Sequence, residues 1–68
     1  MSSTKKIQLQ DSDGKWHEAK YYPGGEVYIG SQRIGKAGTV DDAVTVVRQI
    51  VNKKIVKIEI TEIGRAHV

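Results

Sequence analysis

The first 30 residues show the alternation of apolar and polar positions that is typical of half-buried strands. Ile7 and Leu9 are separated by a polar residue, and Val27 and Ile29 repeat the same spacing. Turn-forming residues interrupt the alternation at 11–14 and again at Pro23-Gly24-Gly25. The pattern therefore predicts a three-stranded antiparallel meander, with strands at residues 5–10, 15–22 and 26–30.

The second half of the chain begins with a change of period. Apolar residues recur at intervals of three and four positions, which places them on one stripe of a helix. These residues are Val40, Ala43, Val44, Val47, Ile50 and Val51. Thr39 and Asp42 have the spacing of a capping box, and Asn52 tolerates the left-handed conformation that ends many helices. We predict a helix over residues 40–51.

Residues 54–63 alternate again, with Val56, Ile58 and Ile60 on one side, and predict a fourth strand. A strand reached through a helical crossover is expected to run parallel to the strand before the helix. We therefore predict an α+β fold, β-β-β-α-β, with the fourth strand beside the first and the spatial order 3-2-1-4. One helix covers one face of such a sheet, so the other face stays open.

Two registers are compatible with the hairpin between the second and third strands. If the loop has three residues, Ala19 and Tyr21 face the core, and the outward residues are Trp16, Lys20, Tyr22 and Tyr28. If the loop has two residues, Trp16 and Tyr22 face the core, and the outward residues are Lys15, His17, Tyr21 and Tyr28. We favour the first register, because the second would bury the charged side chains of Glu18 and Lys20.

Composition and charge exclude several classes of function. The chain has 68 residues, enough for one small domain, and its lack of cysteine excludes disulfides, thiolate nucleophiles and cysteine-based zinc sites. The net charge of +3 is compatible with a nucleic-acid partner without requiring one. Without an apolar run of membrane-spanning length or a signal peptide, we expect a single cytoplasmic domain, frayed at residues 1–4 and 64–68.

The stretch GSQRIGKA, residues 30–37, differs by one residue from GxxxxGK[ST], the phosphate-binding loop of nucleotide hydrolases. Ala37 stands where that loop needs a hydroxyl group for magnesium, and two aspartates in the first turn of the predicted helix would repel a phosphate. We interpret the stretch as a glycine-rich loop between the third strand and the helix. It would hold Arg33 and Lys36 at one end of the sheet, where they can meet a phosphodiester.

Residues suited to catalysis or metal binding do not cluster in the sequence. His17 and His67 are far apart, and neither lies beside a nucleophile and a carboxylate. Asp11 and Asp13 lie in the sequence DSDG, which begins like a calcium loop but lacks the distal glutamate, so we interpret it as a turn. We therefore predict no enzymatic activity, no cofactor, no metal site and no small-molecule substrate.

The aromatic residues lie in the second and third predicted strands, interleaved with basic ones. Aromatic and basic side chains on an open sheet face can contact bases and phosphates. The candidate nucleic-acid-binding residues are Lys15, Trp16, Lys20, Tyr22, Tyr28, Arg33 and Lys36. The alternative is that the aromatic rings only stabilise the sheet by cross-strand packing.

These features also occur in a recognisable order: GKWHEAK at 14–20, a Pro-Gly-Gly turn, EVYIG at 26–30 and a helix capped by Thr39. The order resembles that of the small DNA-binding domains of the plant AP2 type and the arm-binding domains of phage and transposon integrases. The resemblance covers about residues 14–51 and implies a three-stranded sheet whose open face enters the major groove. It would direct Lys15, Tyr21 and Tyr28 to the groove, whereas Ala19 and Glu26 stand where those domains prefer arginine or another polar residue.

Two hypotheses about function follow from these patterns. The first is a small non-enzymatic module that binds nucleic acid, DNA more than RNA, through its open sheet face and the loop before the helix. The second is a protein-interaction or homodimerisation module that pairs through the C-terminal strand, residues 54–63. Neither hypothesis involves a membrane.

Overall fold

Five strands and one helix form in residues 4–63, the part of the chain that the computed structural model describes. They are β1 (Thr4–Asp11), β2 (Trp16–Tyr21), β3 (Glu26–Ile29), β4 (Gln32–Lys36), α1 (Val40–Val51) and β5 (Ile55–Ile63). The spatial order of the sheet is β4-β3-β2-β1-β5, and all neighbouring strands are antiparallel. The predicted α+β class is confirmed. The ends predicted to fray, 1–4 and 64–68, lie outside the described residues apart from Thr4, which begins β1.

The segment predicted to be a loop, residues 30–37, contains the additional strand β4. A two-residue turn joins it to β3, with Ile29 opposite Gln32 and with Gly30 at a φ of 63°. The prediction of four strands is therefore wrong. A run of polar residues beside glycines carries no alternation, and an edge strand that is largely exposed needs few apolar residues to form.

The additional strand also changes the direction of the last one. Because β4 reverses the chain once more before α1, β5 runs parallel to β4 and antiparallel to β3. The predicted position of the last strand beside the first is confirmed, but its predicted orientation, parallel to the third strand, is wrong. The rule that a helical crossover joins two parallel strands applies to β4, the strand immediately before α1, and β4 and β5 are parallel.

The core lies between α1 and the covered face of the sheet. Its buried apolar residues are Ile7, Leu9, Ala19, Val27, Ala43, Val44 and Val47. The hairpin register with a three-residue loop is confirmed, because Tyr21 pairs with Val27 and the Tyr22 N–H donates to the Glu26 carbonyl at 2.9 Å. Tyr21 packs against the core, and its hydroxyl donates to the Ala37 carbonyl at 3.0 Å.

Both ends of α1 form as predicted. The Thr39 hydroxyl accepts a hydrogen bond from the Asp42 N–H at 3.2 Å, and Asn52 closes the helix in the left-handed conformation with a φ of 56°. Within the apolar stripe, Ala43, Val44 and Val47 are buried, Val40 and Val51 are partly buried, and Ile50 is 54% exposed.

Only part of the sheet is covered by α1. The helix packs against β4, β3, β2 and β1 and leaves β5 largely uncovered. Within residues 4–63, no helix has the length and apolar character needed to cross a membrane.

Candidate nucleic-acid interface

The pairing of the strands arranges the side chains of the open face, opposite α1, in rows that run across the sheet. In the central row Lys6 lies opposite Lys20, Lys20 opposite Tyr28, and Tyr28 opposite Arg33. Paired residues of neighbouring strands share a face, so these four side chains lie on one face of β1, β2, β3 and β4. At the usual spacing of strands, the central row is about 14 Å long.

A second row lies beside the central row, towards the β2–β3 loop. Tyr22 is paired with Glu26, and Glu26 lies opposite Lys36. The Tyr22 and Tyr28 rings contact each other edge to face, with centroids 5.1 Å apart and an angle of 89° between their planes. We call these two rows the basic half of the open face; its residues are Lys6, Lys20, Tyr22, Glu26, Tyr28, Arg33 and Lys36.

The other half of the open face differs in charge. Glu59 lies opposite Gln8, and Gln8 lies opposite Glu18, so an acidic row follows the central row about 7 Å further along the strands. Beyond it, Gln10 lies opposite Trp16. The acidic row therefore separates Trp16 from the basic half.

The structure brings together most of the residues that the sequence singles out. Five of them lie in the basic half: Lys20, Tyr22, Tyr28, Arg33 and Lys36. The other two do not join them. Trp16 lies at the opposite end of β2. Lys15 comes directly before β2, and the alternation of β2 places it on the covered side. Lys6 is an additional member. Alternation from the buried Ile7 places it on the open face, and the register of β1 with β2 shows that it adjoins Lys20.

The cations of the basic half have no acidic partner in the described part of the chain. No described carboxylate lies within 4.0 Å of Lys6, Lys20, Arg33 or Lys36. By contrast, the Lys57 ammonium lies 3.9 Å from the Glu59 carboxylate in the other half. Cations without an internal partner keep their charge available to an anionic ligand.

A second polar cluster forms on the covered side, around Asp11. This residue is buried, and its Oδ2 lies 2.9 Å from His17 Nε2, while its Oδ1 accepts the backbone N–H groups of Asp13 and Lys15 at 2.9 and 3.0 Å. The hydrogen bond from His17 lowers the pKa of Asp11, against the effect of burial, and the two backbone donors lower it further.

The contacts of Asp11 show that the cluster closes the β1–β2 turn. The Gly14 N–H also donates to the Asp11 carbonyl at 3.0 Å, so the interpretation of DSDG as a turn is confirmed. The sequence does not predict the contact with His17, although alternation from Leu9 and from Ala19 places both side chains on the covered face. Among residues 4–63, no group of three histidine or acidic side chains could hold a metal ion.

Comparison with known proteins finds no match: no family model fits the chain, and no curated protein or solved structure is significantly similar to it. The resemblance to AP2-type and integrase domains stays a prediction. The function is therefore inferred from the geometry of this surface.

Proposed function

We propose that this chain is a non-enzymatic nucleic-acid-binding module that holds a phosphate backbone on the basic half of its open face. The observation that carries the proposal is the central row, in which Lys6, Lys20 and Arg33 lie on one face without an acidic partner among the described residues. Lys36, in the second row, adds a fourth cation.

The arrangement of the cations favours a polymer over a single phosphate. They are distributed over about 14 Å of a sheet face and do not converge on one point. A single phosphate needs several donors around one centre, whereas a polynucleotide presents a charge at each nucleotide. An extended row of cations is therefore complementary to an extended polyanion.

The chemistry of the basic half favours contacts that do not depend on base sequence. Three of the four cations are lysines, which act as point charges, and Arg33 alone offers the planar fork that reads guanine. The perpendicular rings of Tyr22 and Tyr28 do not form one flat platform, so one ring at most stacks on a base. We propose backbone binding with one stacking contact.

The width of the sheet favours single-stranded DNA over the major groove of a duplex. Five strands measure about 19 Å across, more than the roughly 12 Å width of the groove. A sheet of only three strands, as the resemblance to AP2-type domains implies, would fit the groove. The full open face of this five-stranded sheet does not. A flexible single strand can follow the central row without this restriction.

The proposal is tested by fluorescence anisotropy with a labelled 20-nucleotide DNA strand and the matching duplex, at 50 to 200 mM salt. For four phosphate contacts, the logarithm of the association constant should fall against the logarithm of the salt concentration with a slope of about −3. The single strand should bind more tightly than the duplex. Lys20→Ala should reduce the slope by about one unit.

A charge-matched control distinguishes the basic half from a general effect of charge. Lys15→Ala removes the same charge outside the basic half, and it should change affinity less than Lys20→Ala does. Absence of binding to either DNA at 50 mM salt and 100 μM protein would exclude the proposed function. Equal effects of the two substitutions would exclude the basic half as the interface.

A further inference from the structure

The covered side of β5 carries an exposed strip of apolar side chains. Val56, Ile58 and Ile60 are 57%, 44% and 43% exposed, because α1 does not reach over this strand. Ile50, on α1, adds a fourth large apolar side chain that no described element covers. We call Val56, Ile58 and Ile60 the β5 strip. Exposed apolar surface of this kind marks an interaction site in many proteins.

Residues 55–61 of β5 also have no neighbouring strand on one side within the described sheet, since β5 forms its edge. The opposite edge, β4, has the features that prevent pairing between edges: it is five residues long, it carries Arg33 and Lys36, and its register shifts against β3. By contrast, β5 is nine residues long and regularly paired from Lys57 onward. It can therefore accept another strand.

We propose that the partner of β5 is the β5 strand of a second copy of this chain, in an antiparallel pair with Ile58 on the two-fold axis. The two sheets then become one continuous sheet of ten strands. This inference concerns a surface different from the proposed nucleic-acid interface and does not depend on it.

The charges of β5 select this register. In a continuous sheet, opposite residues must share a face, and with Ile58 on the axis each Lys57 lies opposite a Glu59 and each Val56 opposite an Ile60. Moving the axis by one residue places either Lys57 opposite Lys57 or Glu59 opposite Glu59. The Ile58-centred register therefore makes two favourable charge pairs, where its neighbours place like charges on the axis.

The same register brings the two β5 strips together. Ile58 packs against its own symmetry mate, and the flanking valine and isoleucine pairs extend the contact on the side of the two helices. Because a two-fold axis through an antiparallel pair is perpendicular to the sheet, both open faces lie on the other side. Dimerisation thus shields apolar surface without obstructing either basic half.

The register is tested by charge exchange, with sedimentation equilibrium of the full chain between 5 and 500 μM and without nucleic acid. The unmodified protein should dimerise. Lys57→Glu and Glu59→Lys each place like charges opposite one another twice, so each alone should raise the dissociation constant about tenfold or more. An equimolar mixture of the two variants should restore the dimer, because every cross-strand pair in the heterodimer joins opposite charges.

Matched controls carry the same charge changes on other strands or turns. Lys15→Glu and Glu18→Lys should dimerise like the unmodified protein. Ile58→Lys, which places two ammonium groups on the axis, should be a folded monomer by circular dichroism and sedimentation. A monomeric unmodified protein at 500 μM, a dimer that survives Ile58→Lys, or a mixture that fails to restore association would each overturn the proposal.

Discussion

Gly35 illustrates how a single residue can have a role that its sequence context conceals. In GSQRIGKA it occupies the position of the last glycine of a phosphate-binding loop, but in the structure it lies in β4, facing α1. A Cβ atom at this position would lie 2.9 Å from Cγ1 of Val46. Val46 is β-branched and has little rotameric freedom in a helix, so it cannot easily move aside. The glycine thus permits close packing of the helix on the strand.

Gly35→Ala should therefore lower the free energy of unfolding by about 1 to 3 kcal/mol, measured by urea denaturation. Gly38→Ala is the matched control, because a Cβ atom there meets no other atom within 4 Å, and its effect should be below about 0.5 kcal/mol. The cost of Gly35→Ala should shrink in a Val46→Ala background. An equal cost in both backgrounds would contradict the packing explanation.

Asp11 is the buried charged residue of the described chain, and its environment predicts a pH dependence. Its pKa in the folded state is lowered, first by the hydrogen bond from His17 and then by the N–H groups of Lys15 and Asp13. A lowered folded pKa means that this carboxylate stabilises the fold above the unfolded value of about 4. The contribution is lost as the pH falls through the lower, folded value.

Asp11→Asn should accordingly destabilise the protein at pH 7, and its difference from the unmodified protein should narrow between pH 5 and pH 2. Urea denaturation at a series of pH values measures both. Asp13→Asn serves as control, since its exposed carboxylate makes only a loose ion pair with Lys53 at 3.8 Å and should matter little. A penalty for Asp11→Asn that is the same at pH 7 and pH 2 would contradict this account.

At the scale of single elements, those with strong local signals formed as predicted. The helix extends over the predicted residues, Val40–Val51, because its period, its N-cap and its C-cap all depend on neighbours within a few positions. The strand β4 is not predicted by the sequence, because its polar residues resemble those of a loop. It forms because β3 and the packing of α1 stabilise it.

The cap at Thr39 can be tested within α1. Thr39→Ala removes the acceptor for the Asp42 N–H and should lower the free energy of unfolding by about 1 kcal/mol. Thr45→Ala, on the exposed side of the same helix, is the control and should change stability by less than about 0.5 kcal/mol. Similar losses from both substitutions would show that the capping bond contributes little.

At the scale of the whole molecule, the sheet has two surfaces of opposite character. The open face carries the basic half, and the β5 edge carries an apolar strip on the other side. A 68-residue chain has a small core, so shielding the strip in a dimer should contribute noticeably to stability.

Dimerisation should therefore make the melting temperature depend on protein concentration. Between 5 and 500 μM the unmodified protein should gain about 5 °C or more, because mass action favours the folded dimer. Ile58→Lys should melt at the same temperature throughout this range. Differential scanning calorimetry or circular dichroism measures both, and a melting temperature of the unmodified protein that does not change would contradict the dimer.

The sequence by itself determined the helix and four of the strands, and it favoured the hairpin register that the structure shows. These properties depend on alternation, on helical period and on turn residues, all of which act between near neighbours. The sequence therefore indicated most residues of the basic half individually.

Only the tertiary structure decided which of these side chains are adjacent. The row of Lys6, Lys20 and Arg33, the contact of Asp11 with His17 and the exposure of the β5 strip all depend on strand register and on where α1 crosses the sheet. Strand partners lie far apart in the chain, and their register is set by packing of the whole core. No local pattern contains that information.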